Sequence, residues 1–250
     1  MGYQPSFLQV DAAQFDGITD YCTRGDQLTG HANSKTGIFS TWFRVEQNDI
    51  FTYLLSNATN DGGGAGSTVR VVHLGGPGAD GQIQFLMDSG LNMRTATNYP
   101  VSTTWHHLLA SWDLATNSHH IYVDDLSDLQ FDSSVDQTIN YTKDDWAIAA
   151  LPNGTAKFAG ALAEFYFTGG QYLDFSVVAN RRRFISANRK PVSLGATGSL
   201  PTGTTPWMYH HLDKGESAPN FRLNRGSGGN FTINVPDHGV LTTATPSPSD

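Results

Sequence analysis

The chain has 250 residues, 26 glycines and a formal net charge of −8. An acidic surface repels phosphate backbones, which argues against a nucleic-acid partner, and no apolar run approaches the roughly 20 residues of a membrane helix, so no membrane insertion is predicted. The one cysteine, Cys22, cannot form an internal disulfide, and we expect it to be a small buried apolar residue.

Alternating apolar residues predict β-strands along the first two thirds of the chain. A first strand at FLQVDAAQF is followed by strands at 37–46 and 49–57, and then by 67–74 and QIQFLMD. A further hairpin covers 105–125, and the last strands are KDDWAIAAL and AKFAGALAEFYFTG. Short strands separated by regular turns predict an all-β, two-sheet antiparallel sandwich or jelly roll over residues 1–170.

The remaining segment, 171–250, differs in composition and is predicted to form a second part of the chain. Asp174 or Ser176 can cap a helix there, and we expect one C-terminal amphipathic helix from about 175 to 188, ended by Pro191. The rest is rich in Gly, Thr, Pro and Ser, which predicts an extended tail. We hypothesise that the helix and tail together form a docking and assembly segment.

The run Arg181–Arg183 lies on the predicted helix. Three successive helical residues fan over about 200°, so they form no single basic stripe for nucleic acid. We expect these arginines to contact the helix C-terminus, the acidic sandwich or a neighbouring subunit.

The hairpin at 105–125 carries two histidine doublets. Neighbouring side chains of a strand point to opposite faces, so each doublet splits between the two faces. If Trp112 lies opposite His119, then His107 lies opposite Asp124, roughly 16 Å along the strand from His119.

That separation is too large for one zinc ion, so no metal site is predicted, although a two-ligand site with an outside partner stays open. We expect one ring of each doublet to face solvent and the other to be packed or hydrogen-bonded. The same expectation applies to His210 and His211.

The stretch Gly76-Pro-Gly78-Ala-Asp-Gly81 matches the G-x-G-x-x-G pattern of dinucleotide sites. Such a site needs a helix next, so that the helix N-terminus can meet the pyrophosphate. A strand pattern follows instead, which predicts a hairpin loop whose glycines adopt positive φ angles.

Catalytic residues are not predicted. A retaining glycanase needs two carboxylates about 5 Å apart, often on alternate residues of one strand face. GALAEFYF contains only Glu164, and its alternate neighbours Leu162 and Tyr166 are not acidic. We therefore expect no enzyme, while an inverting or lyase mechanism stays open.

Two pairs of neighbouring residues in acidic loops, Asn60-Asp61 and Asp144-Asp145, carry the oxygen ligands that calcium prefers. A solvated loop is the commoner fate of such pairs. No cofactor is predicted, and calcium stays an alternative.

Four stretches, in this order and at this spacing, resemble the concanavalin A-like, laminin-G-like jelly-roll family over about residues 7–168: FDGITDY, GIFSTWFRV, TWHHLLASWDLATNSHHIYVDD and AKFAGALAEFYF. The resemblance implies a concanavalin A-like jelly roll in which the histidine-rich hairpin, Trp42 and Trp112 are architecture and not an active site.

The later stretches DFSVVANRRRFISANRKPVSLGATGSLPTGTTP and NRGSGGNFTINVPDHGVLTTATPSPSD resemble the C-terminal region found behind such jelly rolls in virion proteins of tailed bacteriophages and prophages. This resemblance implies a non-enzymatic virion structural protein, such as a capsid decoration, head-fibre or tail adhesion component. It also implies other virion proteins as partners, a homo-oligomer, and assembly into the virion in the host cytoplasm.

The alternative is a carbohydrate-binding or glycan-degrading domain, because the family also contains lectins, pentraxin-like calcium binders and glycanases. In either case a host-surface glycan is a possible partner. Loops at one rim are predicted to bind sugar through hydrogen bonds and ring stacking, with candidate residues Asn60, Asp61, Asp80 and Tyr99.

Overall fold

The computed structural model describes residues 8–48, 50–57, 69–76, 81–88, 90–234 and 241–250. Over these residues nearly all of the regular secondary structure is β-strand. The strands are, in chain order, β1 (Val10–Asp11), β2 (Ala13–Asp16), β3 (Tyr21–Arg24), β4 (Thr36–Val45), β5 (Thr52–Ser56), β6 (Val69–Leu74), β7 (Gln82–Met87), β8 (Leu91–Thr95), β9 (His106–Asp113), β10 (Ser118–Val123), β11 (Leu126–Ser127), β12 (Leu129–Ser134), β13 (Trp146–Ile148), β14 (Ala159–Gly169), β15 (Met208–His210), β16 (Leu212–Asp213), β17 (Thr232–Asn234) and β18 (Thr242–Thr243).

The strands form two antiparallel sheets, which confirms the predicted jelly-roll sandwich. The first sheet has the order β11-β10-β9-β4-β14-β2-β18, and β15 also pairs with β14. The second has the order β12-β8-β7-β6-β5-β13-β3-β17, and β1 pairs separately with β16. Strands such as β7 alternate buried and half-buried residues because one face meets the core and the other does not.

A large apolar cluster contributed by both sheets fills the sandwich. Phe39 packs edge-to-face on Phe85 and Phe165, with ring centroids 5.5 and 5.3 Å apart. Trp112 is completely buried in the same cluster. Each such side chain contributes about 1.5–3 kcal/mol when it leaves water, so these aromatic residues hold the two sheets together.

Two facing glycines make room for two tryptophan rings. Gly37 of β4 pairs with Gly169 of β14. A Cβ atom on Gly37 would lie 2.2 Å from the Trp112 ring, and one on Gly169 would lie 2.3 Å from the Trp207 ring. The sheet can therefore accept these rings only because neither position carries a side chain.

The central strands of the first sheet are buried on their outer face as well. Residues of the C-terminal segment, including Phe175, Phe184 and Tyr209, cover Ile38 and Leu109 there. Others, including Trp207 and Phe221, belong to the main cluster between the sheets. The division of the chain at residue 170 remains a prediction.

The helix predicted over 175–188 is wrong in length, because α1 spans only Val178–Arg181. Asp174 caps the turn at Ser176 rather than the helix, and Val177 offers no side-chain cap. After α1 the chain turns, because Phe184 and Ile185 pack into two different outer-face clusters. A 3₁₀ helix follows at Ala218–Arg222. Among the described residues no helix has both the length and the apolar character needed to cross a bilayer.

Two smaller predictions are confirmed. Gly76 and Gly81 have φ angles of 103° and 82°, and strand β7 follows them, as expected of a hairpin loop; residues 77–80 lie outside the described residues. Cys22 is fully buried, and burial raises the pKa of its thiol to about 12.

Candidate functional site

A pocket of about 260 Å³ opens where β10 turns into β11, at the edge of the first sheet. One wall follows the end of β8 and contains Thr97 and Tyr99. The opposite wall is the β10–β11 hairpin with Asp128 behind it, and the third side is Arg189 from the C-terminal segment. Residues far apart in sequence therefore meet here.

The hairpin wall is a two-residue turn. Val123 pairs with Leu126, which leaves Asp124 and Asp125 at the tip with φ angles of 51° and 67°. Two successive residues in the left-handed region are typical of a type I′ hairpin turn. Asp tolerates this conformation better than most residues because its short side chain can bond locally.

Hydrogen bonds fix the Asp124 carboxylate against the neighbouring strand. Its Oδ1 atom accepts the His107 backbone N–H at 2.8 Å, and its Oδ2 atom lies 2.7 Å from His106 Nδ1. Burial raises the pKa of Asp124, but the bonds from His106 and His107 outweigh burial and hold this pKa below its usual value. The carboxylate is therefore ionised at neutral pH and oriented.

Asp128, behind the hairpin, is equally fixed by the wall that contains Thr97 and Tyr99. Asp128 Oδ1 accepts the Thr97 backbone N–H at 3.0 Å and the Thr97 hydroxyl at 2.7 Å, and its Oδ2 atom accepts the Tyr99 hydroxyl. Burial and the bond to Asp128 raise the pKa of Tyr99 above its usual value, so the hydroxyl stays protonated. The Tyr99 ring packs 5.0 Å from the His106 ring.

Arg189 and Leu126 are exposed side chains at the mouth of the pocket. Arg189 is exposed and has a φ angle of 54° in a tight loop closed by a 3.0 Å bond from Ser186 N to Lys190 O. Leu126 is 59% exposed. The pocket thus combines apolar surface from Leu126 and Val123 with oriented carboxylates, hydroxyls and a guanidinium.

Of the rim residues predicted to bind sugar, Tyr99 lines this pocket, and its role there remains a prediction. Asn60, Asp61 and Asp80 lie outside the described residues. The sequence analysis did not identify His106, Asp124, Asp128 or Arg189 as site residues. The Asp-Asp turn after a strand was the available signal for Asp124, but nothing in the sequence places Arg189 beside it.

The predicted register of the histidine hairpin is confirmed, since His119 pairs with Trp112 and Asp124 N bonds to His107 O. His107 is buried, and burial lowers its pKa to about 4, so this ring is neutral. The doublet splits between faces as expected, since His107 packs beside Trp42 of an outer cluster and the half-buried His106 packs beside Phe43 of the main core. No group of three or more metal-ligating residues occurs among the described residues.

The expectation for His210 and His211 is wrong, because both rings are buried. His210 packs against Phe231, and its Nδ1 atom bonds to the backbone oxygen of Phe221. His211 Nδ1 bonds to Glu164. The segment containing β15 and β16 is covered on both sides, so neither ring reaches solvent.

Glu164 is also placed differently from the prediction. A β-bulge between Ala163 and Tyr166 makes Glu164 the extra residue, with a φ angle of 49°. Leu162 consequently faces the main core while Tyr166 faces the outer cluster, and the two do not share a face. The buried carboxylate accepts the Tyr209 hydroxyl at 3.0 Å in addition to its bond with His211.

The fold is that of a two-sheet antiparallel jelly roll with a pocket at one edge. Residues 16–170 match the model of the concanavalin A-like lectin/glucanases superfamily, and the chain belongs to that superfamily. No curated protein sequence matches the chain.

Solved structures share the fold at low sequence identity. A candidate carbohydrate-binding protein of Bacteroides ovatus is 14% identical with a TM-score of 0.63; the match covers 97% of this chain and 61% of that one, so the chain spans about three fifths of its length. Domain 4 of an extracellular arabinanase from Geobacillus stearothermophilus, in complex with arabinotriose, is 17% identical over 65% of this chain and 72% of that one, with a TM-score of 0.48. A pentraxin of Limulus polyphemus is 8% identical over 91% and 95%, with a TM-score of 0.47.

Proposed function

We propose that the chain is a non-enzymatic carbohydrate-binding protein and that the pocket at the β10–β11 turn holds a sugar. The observation that carries the proposal is the pocket itself, in which apolar side chains stand beside polar groups already fixed by hydrogen bonds. Its volume of about 260 Å³ lies just below the roughly 300–1,000 Å³ of sites for drug-sized ligands. A single sugar ring is therefore the expected size of ligand.

The chemistry of a sugar ring matches these walls. Hydroxyls lying side by side on the ring both donate and accept hydrogen bonds, and Asp124, Ser127 and Arg189 offer both kinds of group. The C–H faces of the ring need apolar contact, which Leu126 and Val123 offer. Membership of a superfamily that contains lectins, and the fold shared with the candidate carbohydrate-binding protein of Bacteroides ovatus, support the proposal.

The non-enzymatic part of the proposal rests on Glu164. Both of its oxygens are bound inside the protein, by Tyr209 and His211, and its side chain is buried. A carboxylate in this position does not reach a glycosidic bond. We therefore expect binding of glycans without release of reducing ends.

A matched pair of variants tests the pocket. Leu126→Ser removes apolar surface at the pocket mouth, and Leu200→Ser makes the same change at a leucine that is 65% exposed elsewhere. Full burial of a leucine side chain contributes about 1.5–3 kcal/mol, so a ligand that covers the exposed part of Leu126 would gain roughly 1 kcal/mol. This gain corresponds to about a fivefold change in affinity.

Binding is measured by isothermal titration against a panel of monosaccharides and short glycans. We expect the Leu126→Ser dissociation constant to rise about fivefold while Leu200→Ser stays at the wild-type value. Absence of binding to the whole panel, or equal loss in both variants, would refute the proposed site.

The finer role that we propose is that of a structural component of a bacteriophage virion, assembled with other virion proteins and with copies of itself. Its support is the resemblance of the C-terminal stretches to virion proteins, together with apolar side chains exposed on that segment, namely Val177, Val178 and Leu200. Such residues are candidates for contacts with another chain. Proteomic analysis of purified particles from cells that encode the chain tests this role, and consistent absence from particles would refute it.

A further inference from the structure

The wall of the pocket is held by residues that do not line it. Asp125, at the tip of the β10–β11 turn, accepts a 2.6 Å bond from Arg181 Nε at one carboxylate oxygen and a 2.6 Å bond from Arg182 Nη2 at the other. Both arginines belong to the C-terminal segment, beyond residues 16–170 that match the superfamily. We call the three residues the Asp125 clamp.

Contacts with neighbouring groups hold the Arg181 side chain of the clamp in place. Arg181 is buried, donates through Nη1 to the backbone oxygen of Phe175, and lies with its guanidinium 4.3 Å above the Tyr122 ring. The bond from Arg182 and then the bond from Arg181 lower the pKa of Asp125. Charge-assisted bonds of this kind are short and roughly twice as strong as neutral ones, so they fix the position of the carboxylate and not merely its charge.

Asp124 and Asp128 are anchored by the bonds described above, but the residues between them have few supports other than the clamp. β11 is only two residues long and lies at the edge of its sheet, where it pairs with β10 alone. Its two residues, Leu126 and Ser127, are both exposed. Asp125 adopts a left-handed backbone conformation, which Asp tolerates better than most L residues but which still costs free energy. Loss of the clamp would therefore loosen the part of the wall between Asp124 and Asp128, which carries Leu126 and Ser127 into the pocket.

We infer that Arg181 and Arg182 are positioning residues of the pocket, and that the C-terminal segment completes a ligand site which the superfamily domain does not form alone. The inference rests on the proposed function for its ligand, while its structural half concerns the turn itself. The neighbouring Arg183 takes no part in the clamp, because its guanidinium bonds instead to the backbone oxygen of Pro201.

The test compares Arg182→Ala with Arg183→Ala in the full-length chain. The two substitutions remove the same side chain at adjacent positions, but only the first removes one of the two arginine bonds to Asp125. Arg182→Lys and Arg181→Lys keep the charge and lose the geometry of the guanidinium. Asp125→Ala removes the acceptor of both arginine bonds.

The first measurement needs no ligand. Amide hydrogen exchange of the peptide covering residues 123–128 is expected to speed up about tenfold or more in Arg182→Ala and Asp125→Ala, with partial recovery in Arg182→Lys and no change in Arg183→Ala. Equal exchange in all variants would overturn the inference even if sugars bind.

The second measurement is titration with glucose, galactose, mannose, N-acetylglucosamine and glucuronic acid. For whichever of these binds wild type, we expect the dissociation constant to rise about tenfold in Arg182→Ala, corresponding to about 1.4 kcal/mol, and to stay unchanged in Arg183→Ala. Faster exchange of the turn with unchanged affinity would overturn the positioning role.

The two proposals fail separately. If none of these sugars or of the wider glycan panel binds wild type, the proposed function falls, and the hydrogen-exchange comparison still decides whether the clamp orders the turn. If wild type binds and both arginine variants bind equally, the proposed function stands and the positioning role falls.

Discussion

Replacing Gly37 by alanine should destabilise the protein more than a substitution of an exposed residue would, because Gly37 contacts the main core. The new Cβ atom would lie 2.2 and 2.5 Å from two atoms of the Trp112 ring. This ring cannot move aside freely, because it is fully buried and its Nε1–H donates to the Tyr141 hydroxyl at 3.0 Å. Either the ring or the β4 backbone must shift.

The magnitude follows from these contacts. Overpacking a well-filled core costs about 1–3 kcal/mol, and weakening a buried hydrogen bond such as that from Trp112 to Tyr141 adds about 0.5–1.5 kcal/mol. We therefore expect Gly37→Ala to lower the free energy of unfolding by roughly 2–4 kcal/mol. Urea denaturation followed by tryptophan fluorescence and circular dichroism measures this quantity.

The matched control is Gly25→Ala. A Cβ atom there would meet only Asp145 Oδ1, at 3.8 Å, and Gly25 does not need a positive φ angle. We expect its free energy of unfolding to stay within about 1 kcal/mol of wild type. A loss below about 0.5 kcal/mol in Gly37→Ala, the range of a neutral surface substitution, would refute the described packing of Trp112 against β4.

Three further side chains, each in a buried hydrogen bond, give measurable effects. Burial lowers the pKa of His211, but the hydrogen bond and charge of Glu164 outweigh burial and raise it. The stability that His211 contributes is therefore fully present below about pH 6.5 and is lost as pH rises through the raised pKa. The difference in unfolding free energy between wild type and His211→Leu, measured in urea, should accordingly shrink from pH 6 to pH 9. Glu164→Ala leaves the buried Tyr209 and His211 groups without their partner and should cost about 3–5 kcal/mol in urea denaturation. Tyr99→Phe removes one donor from Asp128 and should lower the melting temperature through a loss of about 1–2 kcal/mol. A pH-independent His211 contribution, or unfolding free energies equal to wild type in the other two variants, would contradict the described contacts.

The sandwich could be predicted because most strands carry their own signal. Alternation of apolar and polar residues in β7, and the Trp112–His119 register of the β9–β10 hairpin, follow from local sequence. The buried central strands were also recognisable as strands, although their outer faces are covered by the C-terminal segment. Local pattern and tertiary packing agree in these elements.

The errors arise where distant packing overrides the local pattern. The stripe that predicted a helix over 175–188 contains Phe184 and Ile185, which bury against different outer-face clusters and end the helix early. Glu164 leaves the alternation of β14 because a bulge shifts the register there. Neither event has a marker in the neighbouring residues.

The pocket could not be predicted for a related reason. Its walls come from segments around Thr97, His106, Asp124 and Arg189, which are brought together only by the sheet order and by the fold of the C-terminal segment. Tyr99, which is the one candidate among the described residues, lines the pocket. Its hydroxyl is held by Asp128, a contact across 29 positions of sequence that spacing does not reveal.

The central claim is that a sugar occupies the pocket at the β10–β11 turn, and chemical-shift mapping by ¹⁵N–¹H NMR tests it most directly. On titration with a sugar that binds, we predict that amide shifts concentrate in residues 97–99, 106–107 and 123–128 and at Arg189, with little change along the outer faces of β6 and β7. Shifts concentrated on another surface, with the turn unaffected at saturation, would contradict the account.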